Sequence, residues 1–138
     1  MGNRIPLDYS PPPFPSLHIP VIGAIPNNRQ LYYTSDIWRF TLYWTLIIYG
    51  GVHLVVAVFA VAMQWRNWKS LRMLWTVPLV YLTISGLEAL LAGSATGLLL
   101  GAIYEAGNFT MTTWMPLVWA VINILVVILS SFPMQGAL

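Results

Sequence analysis

Between Arg72 and Glu88 the chain carries no charge, and after Glu88 none until Glu105. Residues 71–107 read LRMLWTVPLVYLTISGLEALLAGSATGLLLGAIYEAG. As helix, about 35 of these residues run about 52 Å, against about 30 Å of bilayer hydrocarbon. That is too long for one ordinary span and too short for two spans with a turn. The stretch predicts one long, tilted or kinked, glycine-rich transmembrane helix whose end projects past the membrane, with Pro78 as the kink site.

Two faces of this helix are lined with small residues. Gly86, Gly93, Gly97 and Gly101 follow one another at spacings of seven, four and four, which places them within about 80° of each other. Gly93-x-x-x-Gly97-x-x-x-Gly101 is a doubled GxxxG, a surface that a neighbouring helix can approach closely. Ser85, Glu88, Ala92 and Ala95 form a second face, with Leu87, Leu91 and Leu98 turned to lipid. A helix small on two sides is expected to sit between two partners, although glycine is common in membrane helices in general.

Composition agrees with a membrane chain. Of 138 residues, 58% are hydrophobic and 7% charged, where a soluble domain has about 25% charged. The net charge of +2 comes from scattered basic residues, so no nucleic-acid surface is expected. Without cysteine there is neither a disulfide framework nor a thiolate metal site. The N-terminus has no apolar h-region, so the first span is expected to direct its own insertion.

The fold class expected is an all-α membrane protein with three transmembrane helices, the middle one long. Residues 1–34 form a proline-rich tail, 35–133 a three-span domain with spans at about 37–64, 71–106 and 114–132, and 134–138 a short C-terminal tail. Seven prolines keep the N-terminal tail out of helix and favour polyproline II. It reads as a plain extended tail or as a PxxP ligand. Its apolar residues, among them Leu17, Ile19, Val21, Ile22, Tyr32 and Tyr33, point to a resting place on the membrane surface or on a partner.

Thr34-Ser35-Asp36 offers caps for span one, and Thr112 or Thr113 for span three. Gly107 suits the residue just past span two. In span one, Gly50, His53, Ala57 and Ala60 share a face, and in span three Ala120, Asn123 and Ser130 do. Arg66, Lys69 and Arg72 make a basic loop between spans one and two. By the positive-inside rule it lies in the cytosol, which puts the N-terminus in the lumen and the C-terminus in the cytosol. Asn108-Phe109-Thr110 is a glycosylation sequon on the lumenal side.

The intramembrane ionisable residues are His53 and Glu88, joined by the polar Asn123. Counted from Trp68, His53 is 15 residues back and Glu88 is 20 on. Antiparallel helices then put them within about 7 Å in depth, so a hydrogen bond is within reach. The pair reads as interhelical polar glue or as a proton or ion site. One histidine and one carboxylate make no metal site, no nucleophile has a base and orienter, and no enzyme motif is present. No cofactor is expected.

The order of these features resembles the transmembrane protein 170 family. Ser35-Asp36-Ile37-Trp38 opening span one carries the resemblance. So does Ser94-Ala95-Thr96-Gly97 through Gly101-Ala102-Ile103-Tyr104-Glu105-Ala106-Gly107, followed by a short polar loop and a last apolar span. The similarity covers residues 35–133; the resemblance carries no role for Glu88. The resemblance implies a small non-catalytic protein of the endoplasmic reticulum membrane and nuclear envelope, associated with membrane shaping and nuclear-pore formation. The partners expected are membrane lipids and a membrane protein engaged through the second helix. Two alternatives stay open: an accessory subunit of a larger machine such as a lipid-transfer assembly, and a proton- or ion-coupled carrier using Glu88 and His53.

Overall fold

The computed structural model describes residues 5–17, 29–64 and 71–132. Among these lie three helices, α1 (Thr34–Gln64), α2 (Leu71–Ala106) and α3 (Met115–Ser131). Two short strands, β1 (Gln30–Leu31) and β2 (Met111–Thr112), pair antiparallel, Gln30 opposite Thr112 and Leu31 opposite Met111. The pairing ties the entry of α1 to the loop between α2 and α3.

α1 and α2 are long and apolar enough to cross a membrane, over Thr34–Met63 and Trp75–Ala106. α3 is more apolar than either but has 17 residues, about 25 Å of helix. Only 11% of the most apolar window of α1 and 28% of that of α2 is buried by protein. The core helix of a soluble domain would be mostly covered. Here Val55, Phe59, Leu87, Leu91 and Leu129 stand outward and exposed, as expected where lipid is the solvent. The chain is a membrane protein.

Each helix end follows from local chemistry. The Tyr33 carbonyl accepts from the N–H groups of Asp36 (3.0 Å) and Ile37 (3.1 Å), which starts α1. Asp36 in that first turn suits the positive end of the helix dipole. α2 closes in a Schellman motif: Phe109 N–H donates to the Tyr104 carbonyl at 2.9 Å and Asn108 N–H to the Glu105 carbonyl at 3.2 Å. The left-handed residue of that motif is Asn108, at φ 52°, and not Gly107 as the sequence suggested. Asparagine is the non-glycine residue that takes this conformation most readily.

α3 starts without a side-chain cap, with Trp114 in helical conformation and proline in the first turn. The expected cap Thr113 is committed elsewhere: its hydroxyl donates to the Ser16 carbonyl at 3.0 Å. α3 ends at Phe132, whose extended backbone (φ −77°, ψ 121°) is what the following Pro133 demands.

The helix between the other two is α1, which packs against both α2 and α3, while α2 and α3 barely meet. Of the two neighbours expected for α2, this chain supplies α1, with α3 in slight contact. Two apolar clusters hold the arrangement. Leu31, Ile37, Phe40, Leu100 and Met111 gather at the strand end, with Tyr104 and Trp119 against them. Tyr49, Ala89 and Ile124 form the second, drawn from all three helices.

The described part of the N-terminal tail rests on its own chain, where the sequence suggested a membrane surface or a partner. Phe14 packs on Phe40, Tyr43 and Trp44, with ring centroids 5.1 to 5.6 Å apart. Tyr9 sits edge-on to Tyr32 at 5.0 Å and donates its hydroxyl to Asp36 at 2.9 Å. The rest of the tail's apolar run, 18–28, lies outside the described residues.

Candidate functional site

The α1–α2 seam is built on a four-residue step. Along α2 the row is Ser85, Ala89, Gly93, Gly97 and Gly101, all buried. A Cβ added at Gly93 would lie 3.1 Å from both Leu42 Cδ1 and Thr45 Cβ. At Gly97 it would lie 3.1 Å from the Trp38 Cα, and at Gly101 3.0 Å from the Thr34 Cα and 2.6 Å from Thr34 Cγ2. The backbones therefore approach most closely towards the strand end, where a Cβ at Gly97 or Gly101 meets the α1 backbone at 3.0 to 3.1 Å. Thr34 and Glu105 clasp that end, the threonine hydroxyl donating to the carboxylate.

Gly86 does not belong to this row. A Cβ there, or at Gly50, meets nothing within 4 Å. By helical angle Gly86 lies only about 20° from Gly93, but the seam follows four-residue steps that turn about 40° each, so it winds round α2 and runs back from Gly101 to Ser85 instead of Gly86. Ser85, assigned to the opposite face, is 2% exposed on the seam, whereas Ala95 of that face is exposed. Ala57 on α1 is fully buried.

The facing row on α1 is Ile37, Thr41, Thr45, Tyr49 and His53, again in steps of four. Thr41 and Thr45 are fully buried, yet cost no unpaired hydroxyl. Each donates to the carbonyl one turn back, Ile37 at 2.8 Å and Thr41 at 2.7 Å. Their Cβ atoms face the glycines, Thr45 at Gly93 and Thr41 at Gly97.

At the other end of the seam the structure brings His53 and Glu88 together, with Nε2 3.5 Å from Oε2. The contact is too long for a strong hydrogen bond, and Glu88 Oε2 is buried without a hydrogen-bond partner. The other ring nitrogen, Nδ1, is 2.9 Å from the Tyr49 carbonyl. Asn123 is not part of this pair. Its amide donates to Thr96 Oγ1 at 3.1 Å, and Thr96 in turn donates to the Ala92 carbonyl at 2.7 Å. This bridge from α3 to α2 was missed because threonine is weakly polar and its partner is 27 residues away. Arg66 and Lys69 lie outside the described residues. Arg72 is in the first turn of α2, its side chain also outside them.

The transmembrane protein 170A/B-like family matches this chain over residues 30–138, from the first residue of β1 through all three helices. The chain belongs to that family. Within its span fall the strand ladder, the small-residue seam, His53 and Glu88. As a transmembrane protein 170A/B-like chain it is also similar to the uncharacterized protein YPR153W of Saccharomyces cerevisiae, with 40% identity over 136 residues. That similarity covers 99% of this chain and 94% of the yeast protein, so it includes the tail that docks on α1. No solved structure matches.

Proposed function

We propose that this protein is a three-span, non-catalytic component of the endoplasmic reticulum membrane and nuclear envelope, with a packing or scaffolding role in membrane shaping and nuclear-pore formation. α3 is the third span; its 17 residues are short for the hydrocarbon and are accommodated by local thinning or tilt of its neighbours. The observation that carries the reading is the division of surfaces. Close approach is confined to the α1–α2 seam, which leaves the remaining faces apolar and outward. Membership of the transmembrane protein 170A/B-like family supports it.

A partner membrane protein engaged through α2 meets the outer face, around Leu87, Leu91 and Leu98, because α1 already fills the glycine row. Lipids cover the rest. The orientation follows from the basic loop at residues 66–72, with the N-terminus lumenal and the C-terminus cytosolic.

Imaging of the tagged full-length chain, with nuclear-pore counts and endoplasmic reticulum morphology in cells lacking it, tests the proposal. Nuclear-rim and reticular signal with altered pore number or membrane shape is the result expected. Normal pores and normal membranes, or location elsewhere, contradict it. Recovery of a stoichiometric lipid-transfer assembly in mild detergent would favour the accessory-subunit reading instead.

A further inference from the structure

We infer that His53 and Glu88 form a membrane-embedded binding site for a single proton, which the two side chains share. Nδ1 is 2.9 Å from the Tyr49 carbonyl, and a carbonyl only accepts, so Nδ1 carries hydrogen. In the neutral ring, Nε2 is then a bare lone pair. It faces Glu88 Oε2 at 3.5 Å, a buried oxygen with no hydrogen-bond partner.

With no proton between them, two lone pairs confront one another and an ionised carboxylate stands without a donor in a medium where such groups are costly. One proton resolves both problems. It sits on Oε2 and is donated to Nε2, or it sits on Nε2 and is donated to the carboxylate. In passing from one to the other an O–H bond breaks as an N–H bond forms, and the pair goes from two neutral groups to an ion pair. Its net charge is zero in both forms, so the one-proton state carries no net charge within the seam.

The surroundings favour an isolated site. On α1, the Tyr49 ring stacks on the imidazole with centroids 6.2 Å apart. From α2, Tyr81 lines the same groove as His53. α3 brings the Ser131 hydroxyl, which already donates to the Val127 carbonyl at 2.8 Å. Among the described lining residues there is no second base and no cation. The groove itself, about 410 Å³ between Val52, Val56, Ile124, Ile128 and Phe132, reaches the edge of His53 and is wide enough to admit water to it. This site is independent of the scaffolding role, and neither stands or falls with the other.

The test is nuclear magnetic resonance on the full-length chain in lipid nanodiscs, with labelled histidine nitrogens and glutamate carboxyl carbons. His18→Gln leaves His53 as the one histidine reporter. The expected result is a protonated Nδ1, with the Nε2 and Glu88 carboxyl signals reporting one proton held between them. Glu88→Gln then shifts the Nε2 signal and leaves Nδ1 protonated. A bare Nδ1, signals showing no proton between the two groups, or an Nε2 signal indifferent to Glu88→Gln overturns the inference. Should Glu88→Gln fail to fold, the nitrogen and carboxyl signals of the His18→Gln chain decide alone.

Discussion

Gly97 on α2 lies so close to Trp38 on α1 that a methyl group on the glycine would stand 3.1 Å from the tryptophan's Cα. The obstacle is backbone, which cannot swing aside as a flexible side chain would. Between these two residues the helices are held apart by hydrogen atoms alone, and the neighbouring glycines at 93 and 101 repeat the arrangement. Such approach is what gives van der Waals packing its hold between helices in lipid, where burial of apolar surface provides no drive.

Substitutions along α2 are therefore predicted to divide sharply. Gly97→Ala and Gly101→Ala overpack the seam and destabilise by about 1–3 kcal/mol, and Gly97→Leu by more. Gly86→Ala and Gly50→Ala enter open space and gain up to about 1 kcal/mol from helix propensity. Unfolding by titration with denaturing detergent measures the four single variants side by side; equal effects at positions 86 and 97 would refute the assignment of the row.

The Asn123–Thr96 hydrogen bond is predicted to couple α3 to α2 by roughly 0.6 kcal/mol. Asn123→Leu, Thr96→Val and the double variant make a cycle in which the double loses less than the sum of the singles. Strict additivity would show that the contact contributes nothing.

Docking of the tail should depend on alkaline pH. Burial, and then the adjacent Asp36 carboxylate, push the Tyr9 phenol above its ordinary value. A group raised on docking favours the protonated form, so its contribution is whole below the ordinary tyrosine value of about 10 and is lost as pH rises above it. Limited proteolysis across residues 5–17 is expected to accelerate above about pH 10 in the parent and to change less in Tyr9→Phe. An identical alkaline response in both chains would contradict the role given to Tyr9.

At the end of α2, Asn108→Gly is predicted to be nearly neutral and Asn108→Val to cost about 1–2 kcal/mol, because a β-branched residue resists the left-handed conformation. Thermal unfolding of the two variants in nanodiscs checks this, and a tolerated valine would mean that the Schellman closure is dispensable.

Much of this architecture could be read from the chain before any coordinates. The stretch from 73 to 104, charged at Glu88 alone, marks the length of α2, and register arithmetic brings His53 and Glu88 to similar depth. The doubled GxxxG marks the surface of closest approach. What sequence could not say is which helix fills it. Small residues tell that a face can be approached, not by whom. Gly86 shares the angle of the glycine row, and only the winding of the α1–α2 seam along four-residue steps separates it from that row and brings Ser85 in. The roles of Thr113 and Thr96 depend on partners 97 and 27 residues distant, which no local pattern reveals.

The account rests on α2 packing its glycine row onto α1 of the same chain, and a cross-link reads that directly. The chain has no cysteine of its own, and the Cβ positions at 45 and 93 are 3.1 Å apart, a little inside the roughly 3.5–4.5 Å that a disulfide spans, so a few tenths of an ångström of helix separation admits the bond. In native membranes, Thr45→Cys combined with Gly93→Cys is predicted to oxidise to an intramolecular disulfide, while Thr45→Cys with Gly86→Cys stays reduced. A free pair at 45 and 93, or one that joins only separate chains, would contradict the seam.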